Sequence, residues 1–224
     1  MKRTDTKYIV NVNFLAPILE DLQKEYQVLE IDNRRIMNYS SVYFDTPEFK
    51  FYFDHHNGKV NRTKIRQRKY VDSELTFLEI KQKNGKGETN KSRIKIPDFE
   101  LNLSIKSKEF ISEVTGQKFD LQPSLWNNFK RITLVNLKDN ERVTIDLHLT
   151  YSIDDVEKSY ENIVVIEVKQ YKFDRKSMIV KTLKKYRYNP YSISKYCIGI
   201  VNLYQHLKYN LFKRKLLKIT KISL

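Results

Sequence analysis

The sequence predicts an α+β fold built around an antiparallel sheet, and three observations predict it. Residues 60–70, 74–83 and 90–96 alternate apolar and polar side chains with the two-residue period of a half-buried strand. The second and third of these are joined by Asn84-Gly85-Lys86-Gly87-Glu88, short and glycine-containing, which suits a hairpin and hence a meander. Toward both ends of the chain the apolar period lengthens to that of helices.

The elements follow in order. Residues 8–12 (Tyr-Ile-Val-Asn-Val) are a β-prone run that gives way to the helical spacing Leu15, Ile18, Leu19, Leu22. Residues 40–47 read as a strand ended by Pro47, which has no amide hydrogen to give to a ladder. A short aromatic segment, 49–56, precedes the three-strand meander. Residues 101–114 are weakly helical, residues 128–135 and 142–150 are strands flanking the turn-like Lys138-Asp139-Asn140, and residues 163–170 form another strand. Asp174 is the expected N-cap of a helix reaching Tyr186, and Ser192 or Ser194 opens the next. Residues 211–224 form a basic, apolar-striped tail, and no repeat or composition shift marks a domain boundary.

Composition restricts the function. Lys and Arg number 42 against 27 Asp and Glu in 224 residues, a formal charge of +15 that points to a polyanionic partner. With 15 Tyr and 12 Phe the chain is too aromatic to be a disordered basic tail. The single cysteine, Cys197, excludes an internal disulfide framework and a multi-cysteine zinc site, and fits a reducing, cytoplasmic setting. No apolar run reaches the roughly 18 residues of a membrane span, and Asp5, Lys7 and Asn11 break up what a signal peptide would need, so an unprocessed soluble chain is expected.

The positions of the charges say more than their number. Alternate side chains of a strand share a face. Arg66 and Arg68 therefore point one way; Glu79, Lys81 and Lys83 oppose Leu78 and Ile80; Lys91, Arg93 and Lys95 oppose Ile94 and Ile96. Arg142, Thr144, Asp146 and His148 are expected to oppose Val143, Ile145 and Leu147, while Glu167 and Lys169 share a face with Val165. Like charges facing each other across neighbouring strands are destabilising, so an anion should lie on this face. If the sheet curls into a barrel, the face becomes a basic lumen suited to phosphate groups.

These residues resemble a known family. Lys7-Tyr8, Val42-Tyr43-Phe44-Asp45-Thr46, Ile65-Arg66-Gln67-Arg68, Glu79-Ile80-Lys81, Lys91-Ser92-Arg93, Arg131, Arg142-Val143-Thr144-Ile145-Asp146, Ile166-Glu167-Val168-Lys169 and Ser194-Lys195-Tyr196 occur in the order of the VTC-type polyphosphate polymerase domain, a triphosphate tunnel metalloenzyme of the CYTH superfamily. The resemblance implies an antiparallel β-barrel (triphosphate tunnel) with flanking helices over residues 1–207, followed by a basic helical tail over 208–224. It implies transfer of the γ-phosphoryl of ATP to a growing polyphosphate chain. Lys7, Arg66, Arg68, Lys81, Lys91, Arg131, Arg142 and Lys195 would hold phosphate oxygens, with Arg66, Arg68, Lys81 and Lys195 at the reacting groups. Glu167 would anchor a divalent metal, Mn²⁺ or Mg²⁺. The Glu-x-Glu-x-Lys strand of hydrolytic tunnel enzymes is replaced by Arg3-Thr4-Asp5-Thr6-Lys7, and fewer carboxylates favour polymerase over hydrolase.

A triphosphatase on the same fold is the alternative reaction. A non-catalytic nucleic-acid-binding module is the alternative class, disfavoured because Tyr and Phe are not concentrated with the cations on one strand face, as base stacking requires. Gly85 to Ser92 falls short of a P-loop, since Asn90 replaces the second glycine and a strand follows where a helix is needed. His55 and His56 are expected at the surface, Cys197 as a small buried side chain on a helix, and the tail as a solvated helix packed on the barrel.

Overall fold

The alternating segments assemble into one antiparallel sheet. In the computed structural model, which describes residues 4–86 and 88–224, the strands are β1 (Thr4–Asn11), β2 (Tyr26–Val28), β3 (Ile36–Asp45), β4 (Arg62–Tyr70), β5 (Leu75–Lys83), β6 (Thr89–Ile96), β7 (Gln122–Asn136), β8 (Arg142–Ile153), β9 (Val156–Tyr160) and β10 (Ile163–Gln170). The helices are α1 (Leu15–Leu22), α2 (Lys50–His56), α3 (Ile105–Thr115), α4 (Met178–Lys185), α5 (Lys195–Leu203) and α6 (Lys213–Ser223). The ladder runs β1-β10-β8-β7-β3-β4-β5-β6, with β2 added to β7 and β9 to β8. Its ends are β1 and β6, and no ladder joins those two among the described residues. Arg3 and Gly87, which entered the sequence reading, lie outside the described residues.

Three apolar clusters sort the sheet's faces. Tyr8, Val10, Val143, Ile145, Val164 and Ile166 are buried with Ile18 and Leu22 of α1 and Ile179 and Leu183 of α4. Val42, Phe44, Ile65, Leu78 and Ile80 continue that face beneath Ile111 of α3. The opposite face is apolar over part of its area only, where Ile9, Tyr43, Leu125, Tyr151 and Val165 pack on Tyr196, Cys197 and Ile200 of α5. Its remainder carries the charges.

Helix α5 packs directly on the sheet at Gly199, where there is no room for a side chain. A Cβ there would sit 2.6 Å from Leu125 Cδ2 and 2.7 Å from Tyr151 Cδ1. Gly199→Ala is therefore expected to lower stability by about 1–3 kcal/mol through overpacking, measured by urea unfolding; an unchanged midpoint would show that α5 has room to retreat.

Several expectations are corrected. Two residues of β8, His148 and Leu149, oppose the single Phe129 of β7, and His148 has φ +50°. This bulge switches the parity of β8. Arg142, Thr144 and Asp146 precede it on the charged face, but Leu149 and Tyr151, not His148, follow on that face and pack under α5. His56 is not at the surface: it is buried, with both ring nitrogens 2.9 Å from the amide oxygens of Asn57 and Asn210. Asp174 does not cap α4, which starts at Met178 after Ser177. Asp174 is instead tied into a turn, its N–H donating to Gln170 Oε1 (3.0 Å) and its carboxylate accepting from Lys176 N–H (2.8 Å).

The N-terminus of α5 is where a serine was expected, with Ser194 Oγ accepting from Cys197 N–H. Helix α6 packs on β1 and β10, burying Ile219 and holding Asn11 Nδ2 2.6 Å from the Ile222 carbonyl. No helix among the described residues is long and apolar enough to cross a membrane.

Candidate active site

The charged face curves back on itself. Lys7 of β1 donates to the Ile193 carbonyl and Lys64 of β4 to Ser194 Oγ (3.0 Å), so residues 193–194 link strands separated by four others along the ladder, and Lys81 of β5 is within electrostatic reach of Lys7 and Asp5. The space within the curve holds Lys7, Lys64, Arg66, Arg68, Lys81, Lys91, Arg131, Lys169 and Lys195 against Asp5, Glu79, Asp146 and Glu167. Positive charge prevails.

Strand register creates three groups of contacts. Arg66 and Glu79 are opposite on β4 and β5, and Arg66 donates from Nε (2.8 Å) and Nη2 (2.6 Å) to Glu79 Oε2, while Lys91 of β6 binds Oε1. Arg131 and Asp146 are opposite on β7 and β8 and form a two-pronged pair, its second contact 2.8 Å; Lys195 at the start of α5 binds the same carboxylate. Glu167 is held more loosely, 3.9 Å from Lys7 Nζ and 3.5 Å from Lys169 Nζ.

Aromatic rings support the cations. Tyr39 and Phe129 stack in parallel, with centroids 5.1 Å apart, and the guanidiniums of Arg68 and Arg131 lie over both rings. Lys195 Nζ sits 3.8 Å from the Phe129 centroid. Such cation–π contacts partly offset the cost of desolvating a cation.

Burial sets the protonation behaviour. It would raise the pKa of Glu79 and Glu167, but the cations around each outweigh it: Arg66, Arg68 and Lys91 hold Glu79 down to about 2, and Lys7 and Lys169 do the same for Glu167. Burial also opposes ionisation of Asp146, yet Lys195 and Arg131 keep it well below the usual carboxylate range. The lysines move the other way. Burial, with same-sign repulsion from Lys7, Lys81 and Arg66, pushes Lys64 down to about 7. Burial and Arg131 bring Lys195 to about 7 against the pull of Asp146.

A model of the VTC domain matches residues 2–204. The chain belongs to the VTC domain family. Two solved structures share the fold of this VTC domain. One is a Vibrio parahaemolyticus protein provisionally described as an adenylate cyclase, with TM-score 0.51 and 12% identity over 89% of this chain and 98% of that one. The other is HpAC1 from Hippeastrum, provisionally described as an adenylyl cyclase and as having a dominant triphosphatase activity, with TM-score 0.58 and 15% identity over 94% of this chain and 100% of that one. No curated protein sequence matches. At these identities the likeness shows the fold alone.

Of the residues singled out from sequence, the structure brings Lys7, Arg66, Arg68, Lys81, Lys91, Arg131, Lys195 and Glu167 into this one space. Arg142 stands apart, exposed at the start of β8 opposite Lys169. The sequence placed Glu79 and Asp146 on the charged face without pairing either with a cation, and it did not bring Lys64 or the Tyr39–Phe129 floor into the site. Strand parity could have added Lys64; pairing Glu79 with Arg66 and Asp146 with Arg131 needed the strand registers.

The depressed lysines predict a proton signature. Their folded pKa lies below the unfolded value of 10.5, so below about pH 7 both stay charged and the cost of burying them is felt in full. As pH rises from 7 toward 10.5 the folded state sheds those protons first, and stability of the free protein gains from each. An anion bound against them restores the charge. Binding of tripolyphosphate at pH 8 should therefore take up about one to two protons, measured by calorimetry in buffers of different ionisation enthalpy. Proton release, or none exchanged, would contradict this picture.

Proposed function

We propose that this VTC domain is a metal-dependent polyphosphate polymerase, whose rolled sheet works as a closed tunnel that transfers the γ-phosphoryl of ATP to a growing phosphate chain. One observation carries the reading: Lys64, Lys81 and Lys91 form a single row across β4, β5 and β6, cation directly opposite cation. Such a row is destabilising alone and is resolved by a linear polyanion laid along it. A compact anion would neutralise only part of it, because the cations continue from there to Lys7 on one side and to Arg68 and Arg131 on another.

In this reading Lys7, Arg66, Arg68, Lys81, Lys91, Arg131 and Lys195 hold phosphate oxygens, and Arg142 meets the chain at the entrance. Arg66, Arg68, Lys81 and Lys195 flank the transferring group. A terminal oxygen of the chain attacks the γ-phosphorus as its bond to the β-bridging oxygen breaks, and ADP leaves. Fixed guanidiniums and ammoniums need no reorganisation to stabilise that charge, which is most of what phosphoryl transfer asks of a protein.

Glu167 is the carboxylate best fitted to a divalent cation, Mn²⁺ or Mg²⁺. Glu79 and Asp146 are each bound directly by two cations, whereas Glu167 keeps its oxygens at 3.5 Å or more from its lysines. Among the described residues no three His, Cys, Asp or Glu gather, so the ion would draw its other ligands from phosphate and water, as Mg²⁺ commonly does. When bound it would neutralise charge on the phosphoryl oxygens.

In this reading residues 1–207 carry the activity, and 208–224 are an added basic tail that contains α6. Incubation with ATP and Mn²⁺ or Mg²⁺, with and without a short polyphosphate primer, should yield long chains on a gel. Orthophosphate release without chain growth would select the hydrolytic alternative, which the triphosphatase activity of HpAC1 favours.

A further inference from the structure

One end of the charged face is aromatic. Tyr70 lies 5.0 Å from Tyr39 and 5.8 Å edge-on from Phe77, and the Arg93 guanidinium covers Phe77 at 4.7 Å. These rings share the face of the cations, contrary to the expectation from sequence. Phe129, deeper, is buried; Tyr70 and Phe77 are half-buried and Arg93 is exposed. Arg93 stands opposite Glu79 in the ladder, yet it stacks on Phe77 and leaves Glu79 to Arg66 and Lys91.

A bare phosphate chain has no use for such a surface, since it offers no π face. A nucleobase does. Phe77 is directly opposite Arg68, so the aromatic rim adjoins the guanidiniums assigned to phosphate oxygens.

We propose that Tyr70, Phe77 and Arg93 form a base-stacking subsite that seats the nucleobase of a nucleoside triphosphate at the rim while its phosphates run inward to Arg68 and Arg66. The proposal rests on the phosphate-binding reading above and adds to it a preference for nucleotide over inorganic triphosphate. Base–aromatic stacking tolerates any base, so the preference extends to nucleoside triphosphates as a class.

The test compares ATP with inorganic tripolyphosphate by calorimetry. Phe77→Leu and Tyr70→Ala should each weaken ATP about tenfold and leave tripolyphosphate affinity unchanged, which also shows that the variant is folded. Tyr70→Phe, which keeps the ring, should retain ATP affinity. On the unmodified protein, ethenoadenosine triphosphate should lose fluorescence on binding, a signature of stacking that needs no variant. Equal losses for both ligands, or ATP affinity unchanged with etheno fluorescence undiminished, would overturn the subsite and leave the phosphate site standing. If the unmodified protein bound neither ligand, the phosphate-binding reading itself would fall, and the subsite with it.

Discussion

Replacing Arg66 and Arg68 together by alanine is expected to abolish binding of ATP and tripolyphosphate, a loss of at least about hundredfold in affinity, since each hydrogen bond to a charged group contributes about 1.5–3 kcal/mol. The single variants should then separate charge supply from stability. Arg66 is locked to Glu79 by two donors, and its removal leaves a buried carboxylate with Lys91 as its remaining direct ionic partner. Arg66→Ala should therefore lose both affinity and stability. Arg68 donates from Nε to Ser41 Oγ at 3.0 Å, forms no ion pair among the described residues, and is repelled by Arg66 and Arg131 while the more distant Glu79 attracts it. Arg68→Met should lose affinity while keeping, or raising, the urea midpoint. Equal destabilisation by both would show that Arg68 serves the fold and not a ligand.

Asp146→Asn carries the second large effect. The carboxylate is buried and neutralises two cations, Arg131 and Lys195, that come from different elements. Breaking a buried ion pair from one side costs about 3–5 kcal/mol, because the partner charge is left uncompensated. Here two are left. Tripolyphosphate should recover part of the loss, since its oxygens can take the place of the missing carboxylate; equilibrium unfolding with and without the ligand measures both. A neutral substitution would mean that Lys195 and Arg131 find water instead, and that the face is open to solvent.

Much of this was legible in the sequence, and what was not has physical causes. Two-residue alternation showed which side of β4, β5, β6 and β10 would carry charge, because parity needs no knowledge of neighbours. Asp146 as a counter-charge could not be read that way. Its role depends on lying opposite Arg131 and beneath Lys195, a matter of register and helix docking. The bulge at His148 escaped because its residue in the left-handed region is not a glycine, and the parity of β8 was carried past it. Strands β2 and β9, with 3 and 5 residues, are too short to show a period. Tyr39 was missed because the strand was expected to begin at residue 40, one position too late to include the ring that carries Arg68 and Arg131.

The central claim is that cations from separate strands converge on a space shaped for linked phosphates. A crystal structure of the protein soaked with tripolyphosphate and Mn²⁺ tests it most directly. The account predicts a continuous phosphate chain lying among Arg66, Arg68, Lys81, Lys91, Arg131 and Lys195, with the manganese anomalous signal at Glu167. Phosphate confined to the outer surface, or a metal signal remote from Glu167 with this space filled by ordered water alone, would contradict it.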